Sequence, residues 1–287
     1  MAVSTAKPPR VPSSSAKRRA GRSAPGGVGP GGLGIATLWL SVIVLLPLAA
    51  VTAKAFENGP GEFVDAINAP AARAALLVTL GVSLVVTVIN VVLGTLIAWV
   101  LVRDEFRGKR IVNALIDLPF ALPTIVASIV LLSLYGPQSP FDIHLNATRP
   151  GLVVALLFVT LPFVVRSVQP VLIEIDREVE EAAASLGASN RTIFLKIILP
   201  TLAPAVLGGA GLAFTRAIGE YGSVVLIGGG IPRETEVASQ YIQKQFEIDR
   251  FANGAAISVA LLIIAFVVLL GLRLVGSRAA RREEAAR

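Results

Sequence analysis

Six stretches of this chain are apolar for too long to be helices of a water-soluble domain. They cover residues 33–53, 74–102, 111–135, 150–173, 201–228 and 251–272. A helix rises ~1.5 Å per residue, so about 20 mostly apolar residues cross a hydrocarbon layer ~30 Å thick. Three of the runs, 33–53, 74–102 and 251–272, carry no charge at all. The run 111–135 holds only Asp117, 150–173 only Arg166, and 201–228 holds Arg216 and Glu220. Transmembrane strands would instead alternate polar and apolar residues over ~10 positions. The composition agrees: 54% of the 287 residues are apolar and 16% charged, against roughly 25% charged in a soluble domain. The expected fold is all-α, with six transmembrane helices.

The net charge of +7 is read as topology, because Lys and Arg concentrate in cytoplasmic loops. Placing the residues alternately on two sides puts 18 Lys and Arg on one side and six on the other, with Arg166 and Arg216 inside runs. The rich side holds both termini, the loop after the second run and the segment after the fourth. Both termini are therefore expected in the cytoplasm, with the chain in the cytoplasmic membrane. Residues 1–32 are rich in Pro, Gly, Ser and Arg and hold no acid. They are expected to be a disordered basic tail, followed by a six-span domain over 33–275 and a charged cytoplasmic tail over 276–287. The 21-residue first run exceeds the 7–15 residues of a signal-peptide core, so Ala53-Lys54-Ala55 is read as a span end and not a cleavage site.

The chain has no cysteine and a single histidine, His144. His144 stands beside Asp142 in an outer loop and reads as solvated. No G-x-x-x-x-G-K-[ST] or H-E-x-x-H pattern occurs. Asp104 and Glu105 stand among bases and read as a solvated loop. No enzymatic chemistry and no metal site are expected on this chain, and its partner is the lipid bilayer, not nucleic acid.

Two features of the spans invite a functional reading. Pro119 and Pro123 each remove a backbone donor and clash with the preceding turn. Carbonyls freed at membrane depth survive where they are buried in protein or line a wet cavity. The third span is thus expected to be kinked and inside the bundle, with Pro119 and Pro123 as candidate pathway residues. Arg216 is placed near the middle of the fifth span, and Glu220, four residues on, shares its face. The pair is expected to face the interior, as part of a pathway or gate or as a buried strut. Arg166 reads as structural, able to snorkel. Gly208, Gly209 and Gly211 read as close helix packing, and Gly228, Gly229 and Gly230 as an exit turn.

The segment 174–200 is the informative one. Glu174, Asp176, Glu178, Glu180 and Glu181 come first, and Arg191 and Lys196 later. That order suits a helix N-terminus followed by bases downstream. Gly187 suits a left-handed stop and Ser189 a second cap. Ala182, Ala183 and Ala184 keep one surface flat for close approach. Two short helices forming a knob, with Pro200 opening the fifth span, are expected.

The spacing of Glu181, Ala182, Ala183, Gly187, Ile197, Leu199 and Pro200 resembles the cytoplasmic loop of ABC importer permeases at every fixed position. The resemblance implies a type I importer permease. It also implies that residues 181–187 act as a coupling helix docking into a cleft on an ATP-hydrolysing subunit. Residues 117–124, 161–172 and 213–222, with Thr235-Glu236-Val237 and a loop to Phe246, look like the sulfate/thiosulfate permeases of the CysT type. The likeness runs from the first span to the sixth and leaves out the basic tail. Molybdate permeases share much of it, notably around Arg216 to Gly222, so another oxyanion stands as the alternative. An ATP-independent ion-coupled transporter or channel is a lesser one; it would call on Asp117 and Glu220 as coupling acids. The family implies a second homologous permease, two ATP-binding subunits that hold ATP and Mg, and an extracytoplasmic sulfate-binding protein. No cofactor is implied on this chain.

The topology has a direct test. A cysteine placed at Asn146 or Pro232 should react with an impermeant thiol reagent in intact cells, and one at Asn190 should not. Labelling of Asn190→Cys from outside would overturn the arrangement with both ends inside.

Overall fold

The computed structural model describes residues 30–285, and every regular element among them is helical. The expected tail over 1–32 lies outside the described residues except for its last three, which begin a helix. The chain divides into two units, Met1–Leu48 and Ala49–Arg287. The first holds α1 (Pro30–Leu40), a π-helical turn (Ser41–Leu45) and the start of α2 (Leu46–Ala55). Its large apolar side chains are exposed, among them Leu33 and Trp39.

The second unit is built on four long helices, α4 (Pro70–Arg103), α7 (Arg149–Glu174), α10 (Leu199–Ile218) and α13 (Phe251–Ala285). α7 packs on α4 and α10, and α10 packs on α4 and α13. Shorter helices fill in between: α3 (Pro60–Asn68), α5 (Lys109–Ala121), α6 (Thr124–Tyr135), α8 (Arg177–Ser185), α9 (Asn190–Ile193), α11 (Gly222–Val225) and α12 (Ala238–Glu247). The first, second, fourth and sixth spans stand close to where the apolar runs put them, as Gly32–Ala55, Pro70–Arg103, Arg149–Glu174 and Phe251–Gly276. The backbone of α13 stays helical through the charged stretch to Ala285.

Two spans differ from the sequence reading. The third is not one kinked helix over 111–135 but two, α5 and α6, bent by 114°. Pro123 disfavours the helical region for the residue before it, and Leu122 is extended at φ −89°, ψ 135°. Pro119 sits inside α5 and is buried. The fifth span is not 201–228 but Asn190–Ile218. It begins earlier because a π-helical turn, Phe194–Ile198, joins α9 to α10. There the N–H of Leu199 reaches back five residues to the Phe194 carbonyl, a register shift that accommodates Pro200, which lacks a donor. The second short helix of the expected knob is therefore the first turn of this span. The span ends at Gly219, although the apolar composition continues, because Glu220 opens the separate helix α11.

Small residues set the spacing of the four-helix core. A Cβ on Gly94 of α4 would stand 2.9 Å from Val164 Cβ of α7, and one on Gly209 of α10 would stand 3.0 Å from Val164 Cα. Val164 thus lies between two helices that both lack a side chain there. One turn away the Asn90 amide donates to Thr160 Oγ1 at 2.7 Å, both residues fully buried. Thr79 on the same helix accepts the Ala238 N–H at 2.7 Å, joining α4 to α12. Gly211 meets Leu269 of α13, whereas Gly208 faces open space. Of the three glycines read as packing residues, two pack.

This contrast makes a prediction. Gly209→Ala should lower the stability of the protein purified in detergent by about 1–3 kcal/mol through overpacking. Gly208→Ala should be neutral or raise it by up to about 1 kcal/mol, since Ala is the better helix former. Equal thermal midpoints for the two variants would remove Gly209 from the seam.

Candidate functional site

α8 starts where Asp176 accepts the Glu178 N–H at 2.9 Å, a carboxylate on the positive end of a helix. It stops at Gly187, whose φ of +85° is the left-handed conformation that glycine adopts at little cost. The N–H groups of Gly187 and Ala188 close on the carbonyls of Ala184 and Ala183 at 2.9 and 3.0 Å. Ser189 Oγ then accepts the Thr192 N–H and starts α9. Stop and cap stand where the sequence placed them.

The sequence reading missed what holds α8 in place. Arg103, in the last turn of α4, donates to Glu180 Oε1 at 2.5 Å. Arg103 is 10% exposed and lies over the Trp99 ring at 5.2 Å. Trp99 in turn meets Phe194 edge-on at 5.6 Å. Ala183 and Ala188 pack on the core formed by Ala98, Leu101, Val168, Leu172, Ile193 and Ile198. α8 is thus pinned to α4 by one ion pair, with Arg103 itself steadied on the Trp99 ring, and it and the turn after it pack on the core through Ala183 and Ala188.

The seven positions of the loop motif do not form one surface. Ala183, Ile197 and Pro200 are half-buried, while Glu181, Ala182, Gly187 and Leu199 are exposed. The outward face of α8 is instead marked by Val179, Ala182 and Leu186, spaced three and four apart and so on one side of the helix. Val179 is 51% and Leu186 90% exposed. An apolar residue that exposed, at the end of an otherwise acidic helix, is the signal the sequence reading passed over.

The second cluster lies where two broken helices meet. Arg216 stands in the last turn of α10, not near the middle of a span. Its guanidinium contacts Glu220 Oε2, and Glu220 Oε1 accepts the Ser223 N–H at 2.8 Å. One carboxylate, almost fully buried, therefore both neutralises Arg216 and caps α11. The Glu220 carbonyl accepts Ser239 Oγ of α12 at 2.7 Å. α11 begins against α6: a Cβ on Gly222 would stand 2.9 Å from the Ile125 N. Ser128 Oγ of α6 accepts the N–H groups of Leu226 and Ile227 at 3.1 and 3.2 Å. The junction thus sets Gly222, two residues after Glu220, against the start of α6 just after Pro123, while Pro119 sits across the bend on α5. The turn at Gly228 also belongs here, because a Cβ there would run into Leu152 of α7 at 2.5 Å.

Arg166 and Asp117 prove to be partners. Arg166 Nε and Nη2 reach the two Asp117 carboxylate oxygens at 2.7 and 2.6 Å. Its remaining donors go to Asn113 and Gln169. This fork joins α7 to α5 and leaves Asp117 occupied. Two opposite charges on neighbouring spans each need a partner in lipid, and that was the available signal. Between α11 and α12, Thr235 and Glu236 are buried, with Lys244 3.5 Å from Glu236. Burial, helped by Glu236, pushes the nearby Tyr241 phenol above its usual range. His144 lies exposed, 3.9 Å from Asp142. Among the described residues no group of His, Cys, Asp and Glu is arranged to hold a metal ion.

Comparison with known proteins gives a consistent picture. The family described as binding-protein-dependent transport system inner membrane component matches residues 90–281. The sulfate transport system permease protein CysT of Salmonella typhimurium is 39% identical over 256 residues, covering 87% of this chain and 92% of that protein. The protein of the same name from Synechocystis is 41% identical over 243 residues, covering 82% and 85%. Among solved structures, the chain is similar to a bacterial alginate ABC transporter in complex with an alginate pentasaccharide-bound periplasmic protein. The TM-score is 0.72 at 16% identity, over 86% of this chain and 92% of that one. The inward-facing MetNI methionine ABC transporter gives 0.52 at 19% identity, over 72% and 94%. At such identities the structural likeness establishes the fold, that of ABC importer permeases.

The double use of Glu220 bears on variants of both residues of the pair. Glu220→Ala leaves Arg216 unpaired and α11 uncapped, and should lower stability by roughly 3–5 kcal/mol. Arg216→Ala keeps the cap of α11 but strands the almost fully buried Glu220 carboxylate without its cation, and should cost a comparable amount. Exchanging the two residues should not restore stability, because Arg at 220 cannot accept the Ser223 N–H. Recovery of assembled protein by the exchange, measured by size exclusion in detergent, would remove the cap.

Proposed function

The chain belongs to the family of binding-protein-dependent transport system inner membrane components, and on that footing we propose that it is the membrane-spanning subunit of an ATP-driven importer of sulfate or thiosulfate. The substrate assignment rests on the likeness to sulfate permeases over most of the chain. The mode of action rests on one observation, that α8 is firmly tied to α4 yet presents Val179, Ala182 and Leu186 outward. That face is the docking surface for an ATP-binding subunit. The excess of Lys and Arg on the same side supports placing it in the cytoplasm.

The assembly is this permease with a second, homologous one, two ATP-binding subunits and an extracytoplasmic sulfate-binding protein. ATP and Mg are held by the ATP-binding subunits. When these close, α8 is displaced, and the Arg103–Glu180 pair carries the displacement into α4. α4, α7 and α10 are locked at Val164 and move as one block. Arg216 serves as a strut with Glu220 and not as an anion site, since a fixed, uncompensated cation would hold the anion it must release. Sulfate crosses without covalent chemistry.

Leu186→Asp tests the reading in the assembled transporter. Leu186 is almost fully exposed, so the permease should be made and inserted as before. Co-purification of the ATP-binding subunit should fall at least about tenfold, as for a charge placed in an interface hot spot, and labelled sulfate uptake should fall with it. Wild-type uptake would overturn the role of α8. Uptake of molybdate with no uptake of sulfate would overturn the substrate and leave α8 untouched.

A further inference from the structure

A furrow of about 470 Å³ runs along the first half of α4, within the ~300–1,000 Å³ range of small-molecule clefts. Its walls are Ala74, Leu77, Val78, Gly81, Val82 and Val85 of α4 and Val153 of α7. The only polar residues that line it are Arg149 and Arg233. Gly81 keeps it open, with nothing within 4 Å of where its Cβ would be.

Both arginines are set in place by one short loop. The Ile231 carbonyl accepts the N–H groups of Glu234, Thr235 and Glu236 at 3.1, 3.0 and 2.9 Å. This tight turn holds Arg233 at φ +68°, a conformation uncommon outside glycine, asparagine and aspartate. Arg149, the first residue of α7, donates its Nε to the Glu234 carbonyl at 3.1 Å, which leaves both Nη groups for another acceptor. Neither arginine is in an ion pair among the described residues. The Glu234 side chain does not line the furrow.

We infer that this furrow binds an anionic phospholipid, with the phosphate on Arg149 and Arg233 and an acyl chain along Leu77, Gly81 and Val85. Charge complementarity selects the occupant. Two unpaired guanidinium groups at the mouth call for a phosphate or carboxylate anion. The apolar walls below them call for hydrocarbon. A free sulfate ion gains nothing from those walls. A transmembrane helix of a partner would fill them but leave the two cations without a counter-charge. Arg149 stands at the start of α7, where a span meets the headgroup layer on the side that the Lys and Arg distribution places outside, so the phosphate it meets belongs to a lipid of the outer leaflet. This site is separate from the transport reading and does not depend on the substrate.

The test is native mass spectrometry of the assembled transporter in detergent, with phosphatidylglycerol or phosphatidylcholine added back. The wild-type complex should retain phosphatidylglycerol and not phosphatidylcholine. The double variant Arg149→Gln, Arg233→Gln should lose phosphatidylglycerol retention by about 10- to 30-fold, the worth of two interfacial arginines. Gly81→Leu fills the furrow, keeps both charges and favours the helix, and should lower retention as strongly. Unchanged retention in the double variant would overturn the site. Loss in the double variant with full retention in Gly81→Leu would reduce it to a surface charge effect and overturn the furrow. Displacement of phosphatidylglycerol by millimolar sulfate would make the arginines an anion station instead. A disulfide from Val85→Cys to an engineered cysteine on a partner helix would make the furrow a subunit contact.

Discussion

Apolar burial gives helices little reason to associate in a bilayer, because lipid tails are as apolar as leucine. What holds this permease together is therefore closeness of backbone, and the closest place is Val164. Its side chain and Cα occupy the space that side chains at Gly94 and Gly209 would need. α4, α7 and α10 come within van der Waals range along their backbones there, and dispersion gathers over many atoms. The Asn90–Thr160 hydrogen bond, one turn along, fixes rotation about the seam. A polar pair completely inside the bundle has no water to compete for it and sets one register. The positions of α8, of the junction and of the Arg149 loop all follow from this block.

Three arginines of the described spans follow a second rule, each meeting a carboxylate near a helix end or break. Arg103 closes α4 and holds Glu180; Arg166 holds Asp117 before the α5–α6 bend; Arg216 closes α10 and holds Glu220. Helix ends are also where backbone groups lack partners. Glu220 answers both needs with one carboxylate, taking the Arg216 guanidinium on one oxygen and the Ser223 N–H on the other. Such a device economises on polar groups in a medium that supplies none.

The sequence reveals spans by composition and ends by special residues, and it fails where neither speaks. The structure follows the runs around α4 and α7 to within a few residues, and α13 starts on its run and continues as helix past its end. Gly187 and Ser189 carry the stop of α8 and the cap of α9 in their own chemistry. By contrast, nothing apolar changes at Gly219, and only the capping of α11 by Glu220 explains why α10 ends there. Pro123 announced a bend but not 114°, since the angle depends on α6 packing against α11. The Arg103–Glu180 tie joins residues 77 apart, and a single sequence gives no measure of which base meets which acid. The motif positions were readable, but the outward face of α8 was not. That face is set by how Ala183 and Ala188 turn the helix onto the core.

Pairing Arg166 and Arg216 has a consequence for moving an anion. In the described spans Arg166 and Arg216 are each neutralised by a carboxylate, so neither is a bare cation. An oxyanion passing through a bundle of this kind would meet backbone dipoles and helix ends, whose attraction is modest and reverses with orientation. Tight recognition then belongs to a separate binding protein, and the permease needs only to open and close. Such opening needs rigid blocks joined at breaks. Here the block is the Val164 seam, and the breaks are the α5–α6 bend and the α10–α11 junction, which lie against each other. In the proposed transport cycle, a displacement entering through α8 and Arg103 would reach the block first. The broken helices are joined to each other through Ser128 and to α12 through Glu220 and Ser239, and they meet the block through the apolar side chains of Leu131, Val224 and Ile227, contacts that set no fixed direction and let one body slide on another.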